Sequence, residues 1–171
     1  MEPIFLTGFM GAGKTTVGKA LGRRLALSVF DTDELIENAL AKSITDIFAE
    51  EGEDAFRGYE TNVLKKVTWD NVIVTTGGGI VTREENRKWM KQNGTVFYLH
   101  CEAKELYFRL ANDSQRPLIH NKSLDEMQAM LQKRLPFYEE ANYIIDTSGK
   151  SLVQTVERIA DLLINEEVSG L

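Results

Sequence analysis

Eight residues near the start of the chain have the types and spacing for chemistry on phosphate. Gly8-Phe9-Met10-Gly11-Ala12-Gly13-Lys14-Thr15 satisfies G-x-x-x-x-G-K-[ST] at every required position, which is the pattern of a loop that cradles a nucleoside triphosphate. Glycine at positions 8, 11 and 13 lets successive backbone N–H groups turn inward around phosphate oxygens. A helix is expected to start there, and its amino end adds a partial positive charge and open N–H donors. Lys14 supplies an ammonium for the outer phosphates, and the Thr15 hydroxyl suits Mg²⁺.

Further along stand groups suited to a second substrate. Asp31 and Asp33 lie two apart at the end of an apolar run. A continued strand would put both carboxylates on one face, whereas a turn lets Asp31 address a metal while Asp33 faces an acceptor. The competing reading makes Asp33 only the cap of a helix over 34–40. Arg57 and Glu60 are one helical turn apart and can pair, either in a site or as an exposed surface pair. Gly77, Gly78 and Gly79 close the third apolar run, a costly stretch to fix in place unless the backbone must approach something closely. Arg116 and Arg134 have the planar fork suited to a carboxylate or phosphate.

These residues need a frame, and the hydrophobic pattern supplies one. Strand-like runs at 4–7, 29–31, 72–76, 96–100 and 143–146 alternate with helical patterns, predicting a five-stranded parallel sheet covered on both faces, with active residues at the carboxyl ends of the strands. Capping boxes at Thr82/Glu85, Ser123/Glu126 and Ser151/Gln154 mark helix starts. The polar, proline-broken segment 112–122 is expected to be a long mobile loop, and the tail 168–171 to fray. With 171 residues, of which 43% are hydrophobic, the chain suits one domain.

Net charge is −6 and the isoelectric point about 5.1. No block of consecutive basic residues makes a nucleic-acid footprint, and no apolar run reaches membrane length. The start lacks the basic region of a signal peptide, so a cytoplasmic protein is expected. Cys101 has no second cysteine to pair with and reads as a small core filler. His100 and His120 lack metal-ligand spacing. Trp69, Trp89, Phe97, Tyr98 and Tyr107 read as packing residues. No exposed apolar stripe is evident, which favours a monomer. Gly58 beside Arg57 has no functional explanation and costs helix stability.

With these motifs in this order, the chain resembles the shikimate kinase family from residue 4 to about residue 163. The resemblance rests on the phosphate loop, Asp31-Thr32-Asp33, Phe56-Arg57 with Glu60, the glycine triplet, Arg116-Pro117-Leu118 and Arg134 within Lys-Arg-x-Pro-x-Tyr. It implies a three-layer αβα sandwich similar to nucleoside monophosphate kinases, with a lid at about 112–122 and an acceptor-binding helical region at about 33–61. It also implies transfer of the γ-phosphoryl of ATP to the 3-hydroxyl of shikimate, a step toward chorismate and the aromatic amino acids. Gly11, Ala12, Gly13, Lys14, Thr15 and Thr16 would contact ATP, together with Arg109 over the adenine and Arg116 from the lid. Loop 147–150 would border the base. Asp33, Arg57, Gly78, Gly79 and Arg134 would bind shikimate, with Glu60 orienting Arg57. Asp33, Lys14 and Arg116 would be catalytic. Thr15 and Asp31 would hold Mg²⁺, since the usual carboxylate ending the third strand is replaced by Thr-Thr-Gly-Gly-Gly.

The alternatives are a gluconate kinase-like enzyme, whose substrate is also a polyhydroxylated carboxylate, and a non-catalytic ATP-binding regulator. Retention of Asp33, Arg57 and Arg134 speaks against the regulator. The absence of Asn-Lys-x-Asp speaks against a GTPase switch.

Overall fold

A computed structural model describes residues 1–66, 70–111 and 123–169. Five strands, β1 Ile4–Thr7, β2 Ser28–Asp31, β3 Val72–Thr75, β4 Thr95–His100 and β5 Tyr143–Asp146, form one sheet in the order β2-β3-β1-β4-β5. Every pairing is parallel. Helices α1 Lys14–Leu25, α2 Thr32–Leu40, α3 Ile44–Lys66, α4 Glu84–Asn93, α5 Ala103–Ala111, α6 Leu124–Tyr138 and α7 Leu152–Ser169 flank it, and a 3₁₀ turn spans Ile80–Thr82. This is the expected three-layer architecture.

Position in the sheet explains the strand sequences. Central β1 and β3 are buried at every residue, whereas the edge strands β2 and β5 are partly exposed, so the central strands read as unbroken apolar runs. Phe5, Leu6, Leu21, Ile73 and Phe97 are fully buried in the main core, each contributing on the order of 2 kcal/mol by removal from water. A separate cluster of Ile36, Ile47 and Phe56 clamps α2 onto α3, with the Phe48 and Phe56 rings 4.8 Å apart. That small core sets the spacing between Asp33 on α2 and Arg57 on α3.

Local signals succeed at some element ends and fail at others. Ser123 and Glu126 form the expected reciprocal cap, as do Ser151 and Gln154. Thr82 does not cap α4. Its hydroxyl donates instead to the Gly79 carbonyl at 2.7 Å, holding the glycine turn, and α4 starts from Arg83. Within α3, Gly52 at φ 84° and ψ 172° breaks the helix in two. Helix α7 runs through Ser169, and the end of the tail expected to fray, 170–171, lies outside the described residues. Segment 112–122, with Arg116 and His120, and Trp69 lie outside the described residues. Cys101 is buried, as its reading as core filler requires.

Candidate active site

The phosphate loop joins β1 to α1. Gly13 occupies the N-cap position at φ 89°, ψ 17°, a left-handed conformation that a β-carbon disfavours. No acidic side chain sits in the first turn of α1, so the positive end of the helix is left for an anion. Lys14 Nζ donates to the Gly8 and Phe9 carbonyls at 2.8 and 3.0 Å, folding the ammonium over its own loop. Ala12 is buried at the base of the loop and Thr16 is exposed.

Beside the loop, α2 begins directly after β2, so Asp31 and Asp33 diverge. Asp31 is the N-cap, and its Oδ1 accepts from the Asp33 and Glu34 amides at 3.0 and 3.5 Å. The alternative in which Asp33 caps this helix is thereby overturned. Oδ2 of Asp31 accepts from Thr15 Oγ at 3.2 Å and Thr75 Oγ at 2.7 Å. A carboxylate and a hydroxyl in contact at the mouth of a phosphate loop are hard oxygen donors, and Mg²⁺ is usually held by one or two such protein groups together with phosphate and water. The donor set fits that ion.

The other side of the site is built on α2, α3, α6 and the glycine turn. Asp33 Oδ1 is buried without a hydrogen-bond partner among the described residues. Burial, and then the neighbouring Asp31 charge, push its carboxyl up to about 6, against the pull of Lys14 and Arg57. Arg57 is 9% exposed and Glu60 0%, so their 2.6 Å ion pair is not an exposed surface pair. Arg57 NH2 also meets Glu53 at 3.0 Å. Burial pushes Glu60 up to about 7 despite the Arg57 guanidinium, and its Oε1 is likewise unpartnered among the described residues.

Close backbone approach accounts for the glycine triplet. A β-carbon on Gly77 would fall 2.5 Å from Asp33 Oδ1 and 2.7 Å from Glu60 Oε1, while one on Gly79 would fall 2.1 Å from Arg57 NH2. A β-carbon on Gly78 would lie 3.2 Å from the Met10 amide nitrogen, so the turn is pressed against the phosphate loop. Arg134, from α6, reaches the Gly78 carbonyl at 3.4 Å and lies over the Phe9 ring at 5.7 Å. On the far side of the loop, Arg109 donates to the Gly11 carbonyl at 3.2 Å and pairs with Glu105. Glu105 also accepts from the Gly149 amide at 3.2 Å, tying Arg109 to loop 147–150.

A sequence model of the shikimate kinase family matches residues 10–164. The chain belongs to the shikimate kinase family. It is 52% identical to a shikimate kinase of Bacillus anthracis (strain CDC 684 / NRRL 3495) over 97% of this chain and 100% of that one. The match to a Bacillus cereus (strain AH187) shikimate kinase is 51% with the same coverage. Among solved structures, the shikimate kinase from Acinetobacter baumannii in complex with shikimate superposes with a TM-score of 0.90 at 36% identity, covering 97% of this chain and 94% of that one. The Bacteroides thetaiotaomicron shikimate kinase gives 0.88 at 38% identity, covering 95% and 98%.

Within this shikimate kinase fold, the sequence-derived residues fall into three groups. Lys14, Thr15 and Asp31 meet at the phosphate loop; Asp33, Arg57, Glu60 and Arg134 surround the glycine turn; Arg109 stands beside Gly11. The roles of four supporting residues escaped the sequence reading, although Thr32, Thr75 and Tyr138 stand within motifs it quotes. Thr75 bonds Asp31, Thr32 accepts from the Gly77 amide at 3.0 Å, Glu105 anchors Arg109, and Tyr138 bonds Gly78. Of the four contacts, only that of Glu105 has a spacing signal, its i,i+4 distance to Arg109. Gly58 remains unexplained, since a β-carbon there would meet nothing within 4 Å.

Proposed function

We propose that this protein transfers the γ-phosphoryl group of ATP to the 3-hydroxyl of shikimate, giving shikimate 3-phosphate and ADP on the route to chorismate and the aromatic amino acids. The supporting observation is the arrangement around the glycine turn. One carboxylate, Asp33, whose Oδ1 has no partner among the described residues, and two guanidiniums, Arg57 and Arg134, surround a backbone turn packed against the phosphate loop. A polyhydroxylated carboxylate asks for that set: an acceptor for hydroxyl protons and two forks for its anion.

In this reading the Gly11, Ala12, Gly13, Lys14, Thr15 and Thr16 backbone surrounds the β- and γ-phosphates, and Lys14 leaves its loop carbonyls to follow the charge of the transferring group. Arg109 borders the adenine. Arg57 and Arg134 hold the shikimate carboxylate, and the Gly78 and Gly79 amides lie against the ring. These contacts align the 3-oxygen with the γ-phosphorus, and such positioning supplies most of the catalysis available to a phosphoryl transferase. The new O–P bond forms as the bond to the β-phosphate oxygen breaks, and Asp33 takes the hydroxyl proton. Arg116 is assigned to the lid, where its guanidinium would face the phosphoryl group as closure excludes water. Thr15 and Asp31 would hold Mg²⁺, which neutralises phosphate charge when bound.

Among the described residues no helix is long and apolar enough to cross a membrane. A cytoplasmic monomer is the accompanying reading. The deciding experiment is coupled ADP release from Mg·ATP with shikimate, gluconate and no acceptor. Release with shikimate alone is expected. Release with gluconate instead would reassign the acceptor pocket, and ATP binding with no release in any arm would favour the regulatory reading.

A further inference from the structure

The Gly78–Gly79 peptide has an anchor that none of the assigned site residues explains. Tyr138, at the end of α6, donates its hydroxyl to the Gly78 carbonyl at 2.5 Å. Its ring is fully buried and stacks on Tyr98 at 4.8 Å with 7° between the planes, so the hydroxyl is delivered from a rigid platform. Burial pushes that hydroxyl up to about 12, so it remains a donor at neutral pH.

Why this peptide needs an anchor follows from its flanks. Its orientation is set by ψ of residue 78 and φ of residue 79, and both residues are glycine, so counter-rotation of the two angles meets little steric resistance. A trans peptide points its C=O and N–H in opposite directions. Fixing the carbonyl on Tyr138 therefore fixes the direction of the Gly79 N–H. Among the described residues, neither the Gly78 nor the Gly79 N–H donates to a protein acceptor, which leaves both for a ligand. Arg134 also touches the Gly78 carbonyl, but at 3.4 Å the bond is long, and that guanidinium is needed elsewhere once an acceptor carboxylate arrives.

We infer that Tyr138 is a positioning residue for the acceptor. It holds the Gly78–Gly79 peptide with its amide toward the substrate, and it releases Arg134 from that task so that the guanidinium can engage the substrate carboxylate. The inference rests on the proposed function, in which those amides and Arg134 meet shikimate.

The test is Tyr138→Phe, which removes the hydroxyl and keeps the ring on Tyr98. Tyr98→Phe is the control, since it deletes the other hydroxyl of the stack, which contacts His100 at 3.0 Å rather than the turn. Steady-state ADP release and calorimetric shikimate binding would be measured for both variants and the unmodified protein. Tyr138→Phe is expected to raise the shikimate KM and Kd about tenfold, the size expected for one lost buried hydrogen bond, with the ATP KM unchanged. Tyr98→Phe should leave the shikimate constants within about twofold. Unchanged shikimate constants in Tyr138→Phe, or an equal loss in both variants, would overturn the inference. Failure of the unmodified protein to use shikimate would instead strike the functional reading, and the two failures are read from different samples.

Discussion

Asp31 and Asp33 stand two residues apart and have opposite environments. Both oxygens of Asp31 are engaged, by the start of α2 and by the Thr15 and Thr75 hydroxyls, while Oδ1 of Asp33 is buried with no partner among the described residues. The abrupt passage from β2 into α2 separates them. One carboxylate is locked into the scaffold at the phosphate side, and the other is left with unmet hydrogen-bonding capacity at the acceptor side.

An unpartnered buried carboxylate costs stability and serves function. Asp33 is pushed up to about 6 from 3.8, so the folded protein holds its proton more tightly than the unfolded chain does. The associated stabilisation is complete below the unfolded value of 3.8 and is lost as pH rises through about 6. Asp33→Asn should therefore raise stability at pH 8 by on the order of 1 to 3 kcal/mol, with the gain shrinking toward pH 4. Denaturant melts at the two pH values measure it. The same variant should lose nearly all shikimate turnover while retaining ATP binding. In the unmodified protein kcat/KM for shikimate should fall as pH drops through about 6, and a flat profile from pH 5 to 8 would remove the Asp33 charge from the mechanism.

Asp31→Asn separates the two tasks of that residue. Asparagine caps a helix about as well as aspartate, so the melting temperature should change little. Loss of the charge beside Thr15 should raise the half-saturating free Mg²⁺ by roughly tenfold. ADP release titrated against free Mg²⁺ shows this, and an unshifted midpoint would release Asp31 from any metal role.

Gly79 has a steric constraint that can be tested. A β-carbon there would overlap the Arg57 guanidinium, at 2.1 to 2.3 Å from three of its atoms. Gly79→Ala should displace Arg57 from the turn and destabilise the fold by about 1 to 3 kcal/mol through overpacking. It should also raise the shikimate KM by at least about tenfold and leave ATP affinity nearly unchanged. Parallel titrations of the two substrates would reveal a shared loss if Arg57 served the nucleotide instead.

Arg109 predicts the reverse split. Arg109→Ala removes the bond to the Gly11 carbonyl and the link through Glu105 to Gly149. The ATP KM should rise about five- to tenfold from lost hydrogen bonds and base contact, with the shikimate KM unchanged. A rise confined to shikimate would place Arg109 on the wrong side of the loop.

The sequence by itself determined the phosphate loop, the alternating strands and helices, and the types of the acceptor-binding side chains, because each depends on neighbours within a few residues. The spacing of Gly8, Gly13 and Lys14, the apolar runs of buried strands and the Ser123 and Ser151 caps are local in this sense. Only the tertiary structure decided which carboxylate caps α2, that Thr82 serves the glycine turn rather than α4, and that Glu60 is buried with Arg57. It also decided that Tyr138 reaches Gly78, 60 residues away in sequence. Those outcomes depend on close approaches between distant segments: β2 beside β3, α2 clamped to α3, α6 over the turn. No spacing along the chain reports a desolvation, an orphaned oxygen or the room for a β-carbon, because each is a property of what packing brings together.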